Sequence, residues 1–202
     1  MDGNLAESHK NGSYTYEDYL SWDDGERYEL IDGYAYAMAA ATPEHQVINL
    51  GLASEFRSFL KGKPCEVYQD IDVRLFPKEI KRNNLSLVQP DRVFRPDISV
   101  VCDPEQISPQ GCDGAPALIA EVLSPSTAGY DQDEKFNCYL QAGVREYWIV
   151  SPVSRTVKRH VLHGEDYIVR SFCETDILTS ERFPGLRIPL SEIFPNEDGK
   201  ES

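Results

Sequence analysis

The sequence predicts an α/β (α+β) domain: a mixed sheet flanked by helices, with extra β-hairpins. Three observations carry that prediction. From Phe94 to Val150 the chain reads strand, strand, helix, strand. From Thr42 to Leu60 it holds one long amphipathic helix with a start signal and a stop signal. Around Asp32-Gly33, and again between Thr156 and Phe172, apolar runs flank turn residues in the manner of β-hairpins.

Taken in order, Tyr14 to Leu20 reads as a short helix, with Thr15 as N-cap and Asp18 three residues on. Tyr28-Glu29-Leu30-Ile31 and Tyr34-Ala35-Tyr36-Ala37-Met38 flank Asp32-Gly33 and predict a hairpin. Thr42, Pro43 and Glu44 supply a cap, a first-turn proline and a first-turn acid. Ile48, Leu52, Phe56, Phe59 and Leu60 then fall on one helical face, and Gly62 ends the helix. Asp70 to Leu75 alternates polar and apolar, which predicts a half-buried strand. Pro77 to Pro90 and Asp103 to Ala115 read as loops.

Arg95 to Val101 and Pro116 to Leu123 are the two strands of the organising stretch. The next helix begins near Asp131, a candidate cap with Glu134 three residues on. It shows Phe136, Tyr139 and Leu140 as an apolar face and stops at Gly143. Arg145 to Val150 is a strand. Thr156 to Leu162 and Tyr167 to Phe172 form a hairpin through 163–166, and Leu186 to Leu190 adds a short edge segment.

The totals bound the rest. A chain of 202 residues, 41% hydrophobic and 27% charged, is expected to form a single soluble domain over 14–194. Flexible ends are expected over 1–13 and 195–202. No apolar run reaches the ~20 residues of a membrane span, and the polar N-terminus does not read as a signal peptide. A cytoplasmic protein is therefore expected. The five cysteines, without a CxxC pair, read as reduced thiols. The net charge of −14, from 34 acids and 20 bases, argues against a general grip on phosphates but leaves room for a local basic groove. Arg74, Lys78, Lys81, Arg82, Arg92 and Arg95 are its candidate bases.

The chemistry concentrates in the organising stretch. Residues two apart on a strand share a face, so Asp97 and Glu121 meet if their strands are antiparallel neighbours. Two close carboxylates repel unless one is protonated or both bind a cation, and hard oxygen ligands suit Mg²⁺ or Mn²⁺. Glu121 lies inside the apolar run Ala117 to Leu123, where an unpaired carboxylate is costly. A plainer reading exists for each neighbour. Asp97 after Pro96 can cap a turn, Lys135 can pair with Asp131 at i, i+4, and Asp131 can serve only as a cap.

The ordered set of residues resembles the PD-(D/E)xK nuclease superfamily and, within it, the Uma-two family of restriction-endonuclease-like proteins. The matching residues are Tyr28-Glu29-Leu30-Ile31-Asp32-Gly33, His45, Arg95-Pro96-Asp97, Glu121-Val122-Leu123-Ser124-Pro125-Ser126, Asp131, Lys135 and Glu146-Tyr147-Trp148. They cover roughly Tyr16 to Phe194. The resemblance implies a restriction-endonuclease-like αβββαβ core. It also implies a Mg²⁺-dependent (or Mn²⁺-dependent) endonuclease acting on nucleic acid, DNA first, with Asp97 and Glu121 as metal ligands. It adds Glu29 as a third metal carboxylate and His45 as a site member, beside the alternative of a structural histidine. The sequence departs from the superfamily pattern at Leu123, where a lysine is usual. Lys135, in the first turn of the next helix, is the substitute.

A two-fold homodimer without membrane contact is expected, one site for each DNA strand. The alternative function is a nuclease-fold protein with weak or no catalysis and a regulatory or protein-interaction role. The displaced lysine and the net charge motivate it.

Overall fold

A computed structural model describes residues 14–75, 92–124 and 131–195, with the side chains of 131–134 excepted. The expected loop over 77–90 with Lys78, Lys81 and Arg82, the residues Pro125 and Ser126, the side chains of Asp131 and Glu134, and both ends lie outside this set.

The chain opens with α1 (Tyr16–Leu20), where Thr15 and Asp18 form a reciprocal capping box. β1 (Tyr28–Ile31) and β2 (Tyr34–Ala37) pair antiparallel around Asp32 and Gly33, both at positive φ, as a two-residue primed turn requires. The 18-residue α2 (Pro43–Leu60) starts at Thr42, whose hydroxyl accepts from the His45 amide at 3.2 Å. Its buried stripe includes Ile48, Leu52, Phe56 and Leu60, the face read from the sequence.

β3 (Glu66–Gln69), β4 (Val73–Leu75), β5 (Arg92–Phe94) and β6 (Ile98–Val101) follow. The single strand expected over 70–75 is therefore corrected. Asp70 takes a left-handed conformation (φ 52°) and separates two strands that belong to different sheets. Arg95 holds that bend, donating from Nη2 to the Asp70 carbonyl at 3.0 Å. The loop expected over 103–115 is also corrected, because it contains β7 (Ile107–Ser108) and β8 (Gly111–Asp113). β8 owes its existence to a distant partner: it runs parallel to β4, and the Cys112 amide donates to the Asp72 carbonyl at 2.8 Å.

β9 (Leu118–Val122), α3 (Asp131–Ala142) and β10 (Glu146–Ser151) complete the organising stretch. β11 (Thr156–His163) and β12 (Asp166–Cys173) form the long hairpin, and β13 (Ile177–Thr179) pairs with β14 (Arg187–Pro189).

The main sheet runs β12-β11-β10-β9-β6-β3, and a second sheet runs β2-β1-β5-β4-β8-β7. Read along the chain, α2-β3-β6-β9-α3-β10 is the αβββαβ core of a restriction-endonuclease-like fold. β9 pairs antiparallel with β6 and parallel with β10, as a crossover through α3 demands. The main sheet is covered on both faces. On one, Ile98, Val100, Leu118, Ala120 and Trp148 pack against α2. On the other, Ile119, Tyr147 and Ile149 pack against Tyr139 of α3 and Val73 of β4. This double burial explains why β9 reads as an unbroken apolar run apart from one acid.

The reduced state expected for all five cysteines is corrected for two of them. Cys65 and Cys102 lie one step beyond the Glu66–Val101 pair of the β3–β6 ladder and form a disulfide. Their separation of 37 residues hides a pairing that only the strand register creates. No helix of the described residues is long and apolar enough to cross a membrane.

Candidate metal-dependent nuclease site

Asp97 precedes β6 and Glu121 is the fourth residue of β9. The register pairs Ile98 with Ala120, so Asp97 and Glu121 fall opposite each other one step further along. The Asp97 amide donates to Glu121 Oε2 at 3.4 Å, and the Val122 amide donates to Asp97 Oδ2 at 2.7 Å. Each carboxylate is thus tied to the other's strand. The Glu121 residue is 9% exposed, while the Asp97 side chain keeps 20% of its surface open.

α3 brings two donors to the same carboxylate oxygen. Lys135 Nζ lies 3.3 Å from Glu121 Oε1, and the Tyr139 hydroxyl donates to that atom at 2.8 Å. The i, i+4 spacing of Lys135 and Tyr139 puts both on the sheet-facing side of the helix. Lys135 Nζ also lies 2.8 Å from Oε1 of Glu29 on β1, an oxygen that accepts from the Arg95 amide at 3.1 Å. From the other face of the sheet, His45 in the first turn of α2 places Nε2 3.1 Å from Asp97 Oδ2.

All five residues proposed from the sequence therefore meet: Asp97, Glu121 and Lys135 at the centre, with Glu29 behind the lysine and His45 behind Asp97. Gln69 does not join them. Its amide donates to Asn49 of α2 at 3.0 Å. Asp70 is engaged by Arg95 and Arg27. Tyr147 and Trp148 are core residues. Sequence reasoning missed Tyr139 by reading it only as apolar face. Its spacing from Lys135 was the available signal.

The charges are strongly coupled. Burial drives the Glu121 carboxyl up from 4.5 to about 7, with the Asp97 and Glu29 charges adding to the rise and the Lys135 ammonium opposing it. Burial pulls Lys135 down, but the Glu121 and Glu29 carboxylates more than reverse that, and the ammonium is held well above its ordinary value. The hydrogen bond to Asp97 raises His45 above 6.5 against the pull of burial.

Among the described residues, no group of three or more histidines, cysteines and acids forms a ready metal cage. The donor set nevertheless fits Mg²⁺ or Mn²⁺. Mg²⁺ is held by one or two carboxylates, with water and phosphate oxygens completing its shell, rather than by an all-protein cage. Both hydrogen bonds to Asp97 fall on Oδ2, leaving Oδ1 without one among the described residues. Glu121 Oε2 lies on the Asp97 side, while Oε1 is taken by Lys135 and Tyr139.

The flanking arginines are already paired. Arg92 binds Asp32 at 2.7 and 3.0 Å, Arg95 lies 3.3 Å from Asp70 and 2.9 Å from Asp72, and Arg74 stacks over Tyr16. The basic groove sought in the sequence is not formed by the described arginines.

The core topology is that of a restriction-endonuclease-like fold, with Asp97 and Glu121 opposed across two of its strands. The chain belongs to the Uma2 family, described as "Putative restriction endonuclease", whose model matches residues 16–191. It is 30% identical over 182 residues to the uncharacterized protein slr1290 of Synechocystis, spanning 88% of this chain and 90% of that one. It is 25% identical over 143 residues to the uncharacterized protein sll1609 of the same organism, spanning 69% and 75%. Its fold matches the crystal structure of "a putative nuclease belonging to DUF820" from Anabaena variabilis, with a TM-score of 0.70 and 18% identity over 90% of this chain and 97% of that one.

Proposed function

We propose that this protein is a metal-dependent endonuclease hydrolysing phosphodiester bonds of nucleic acid, with DNA as the first substrate to test. The observation that carries the proposal is the pair Asp97–Glu121, opposed across β6 and β9, with the Lys135 ammonium 3.3 Å from the second acid. Asp97 and Glu121 would hold Mg²⁺ or Mn²⁺. Such an ion supplies Lewis acidity at a phosphoryl oxygen and lowers the pKa of water.

The chain's own groups take the remaining tasks. Lys135 keeps its proton and sets a fixed positive charge beside the carboxylates, where charge develops on a phosphate. Glu29 holds that ammonium from behind. Tyr139 fixes Oε1 of Glu121, which keeps the other oxygen toward Asp97. His45 orients Asp97, and that hydrogen bond in turn favours the protonated form of its ring. In a two-fold dimer each site would address one strand.

The second reading, a nuclease-fold protein with a regulatory or protein-interaction role, draws on the neutralised arginines around the site. One experiment separates the two. Single- and double-stranded DNA and RNA are incubated at low salt with Mg²⁺ or Mn²⁺, wild type beside Glu121→Ala and Asp97→Ala. Metal-dependent cutting by the wild type alone supports the nuclease. Cutting of equal rate in all three proteins overturns it.

A further inference from the structure

β12 is the outermost strand of the main sheet. β11 pairs with one of its edges along all eight residues, from His163–Asp166 to Thr156–Cys173. Among the described residues no strand pairs with the other edge. The opposite outer strand, β3, has four residues, and Arg57 and Asn49 engage its ends at Glu66 and Gln69.

An open edge presents unpaired N–H and C=O groups, and proteins blunt it with short strands, proline, bulges or inward charge. β12 is neither short nor interrupted by proline or a bulge, and its charged residues, Asp166 and Arg170, lie on the face it shares with Phe172. It is long and regular, reads Asp-Tyr-Ile-Val-Arg-Ser-Phe-Cys, and leaves Ile168 59% and Val169 50% exposed on its two faces.

We propose that β12 pairs antiparallel with β12 of a second copy, about a two-fold axis through Ile168, joining the two six-stranded sheets into one. The register follows from the pleat. A two-fold perpendicular to the sheet keeps each face on its own side, and directly opposed residues must share a face, so the axis passes through a residue.

With the axis on Ile168, Tyr167 faces Val169 of the second copy and Asp166 faces Arg170 of the second copy, each pair occurring twice. These are an aromatic–β-branched pair and an opposite-charge pair, the kinds that stabilise a ladder. Moving the axis to Val169 sets Ile168 against Arg170 and Asp166 against Phe172. Moving it to Tyr167 sets Asp166 against Ile168. Only the Ile168 axis joins the two charges. Arg170 is exposed and rests on its own Phe172 ring, 5.0 Å from the centroid.

This interface rests on strand geometry and not on catalysis, and its test contains no nucleic acid. The full chain is followed by sedimentation equilibrium from roughly 1 to 500 µM, the range suited to a small interface. The wild type shows a concentration-dependent monomer–dimer equilibrium. Asp166→Arg and Arg170→Asp each weaken association by about tenfold, and the double variant restores it. Ile168→Asp is monomeric throughout. At about 1 µM, where the wild type is also largely monomeric, unchanged melting temperatures show that these surface variants remain folded. A wild type that stays monomeric, single reversals that leave association unchanged, or a double variant that fails to restore it overturns the proposal.

Discussion

Lys135 Nζ stands 2.8 Å from Glu29 Oε1, closer than the 3.3 Å that separates it from Glu121. The lysine is clamped between β1 and β9, and so ties the second sheet to the first through a charge. Removing one partner of a buried ion pair costs roughly 3–5 kcal/mol, because the other charge is left uncompensated. Here two carboxylates would be stranded. Lys135→Met is expected to lose about that much stability in urea unfolding at pH 8. The deficit should shrink in acid, where carboxylates are neutral. A loss under ~1 kcal/mol at pH 8 would place the ammonium in water instead.

Glu121 makes stability and metal binding depend on pH. Burial raises its pKa from 4.5 to about 7, so the folded state retains a proton that the unfolded chain gives up. The resulting stability is complete below pH 4.5 and is lost as pH rises through 7. Relative to Glu121→Gln, which cannot titrate there, wild-type stability should fall between pH 5 and 8 by a few kcal/mol, at ~1.4 kcal/mol per pKa unit. Parallel melting curves for the two proteins would refute the shift. Mn²⁺ should reverse the trend for wild type alone, with roughly one proton released per ion near pH 6, seen by calorimetry in two buffers.

Tyr139→Phe removes one hydroxyl from a fully buried ring. A hydrogen bond to a charged group contributes ~1.5–3 kcal/mol, and that is the expected stability loss above pH 7. If the hydroxyl also positions Glu121, cleavage should slow by about tenfold while the far-ultraviolet circular dichroism is unchanged. A rate equal to wild type would leave Tyr139 with packing alone.

The elements most legible in the sequence were those with local chemistry. Thr15 with Asp18, Thr42 with Pro43, and Asp32-Gly33 each specify their backbone through neighbours within four residues. The Asp97–Glu121 pairing was legible for a different reason: an acid inside an apolar strand has few stable environments. The elements missed depend on contacts distant in sequence. Asp70 bends because Arg95 waits 25 residues away. β8 forms because β4 offers an open edge, and Tyr139 looked like core because it is core and donor at once.

The cysteines offer a direct count. Cys112, Cys138 and Cys173 are free, and only Cys173 is exposed. Burial pushes the Cys112 thiol up to about 11, far from the reactive range. A thiol reagent at neutral pH should label Cys173 at once. Unfolding without reductant should bring the total to three thiols, and reduction should bring it to five. Five thiols in the unreduced, unfolded chain would mean that Cys65 and Cys102 are not joined.

Glu146 is the contrasting buried acid. It is 0% exposed, yet four donors satisfy it: Trp148 Nε1 at 2.7 Å on Oε1, and Ser180 Oγ, the Glu181 amide and the Arg182 amide at 2.9, 3.0 and 2.8 Å on Oε2. It anchors the segment after β13 to β10, and its donors leave little room for a cation. Glu121, with Lys135 and Tyr139 on one oxygen, retains an oxygen toward Asp97. The two acids should therefore separate cleanly in experiment. Glu146→Ala strands four donors and should cost on the order of 3–5 kcal/mol in urea unfolding, with Glu146→Gln milder because one amide oxygen still accepts. In the folded Glu146→Gln protein, Mn²⁺ affinity should match wild type within about twofold, while Glu121→Gln should lose at least tenfold. A drop in Mn²⁺ affinity for Glu146→Gln as large as that for Glu121→Gln would mean that the ion is bound elsewhere than at Asp97 and Glu121.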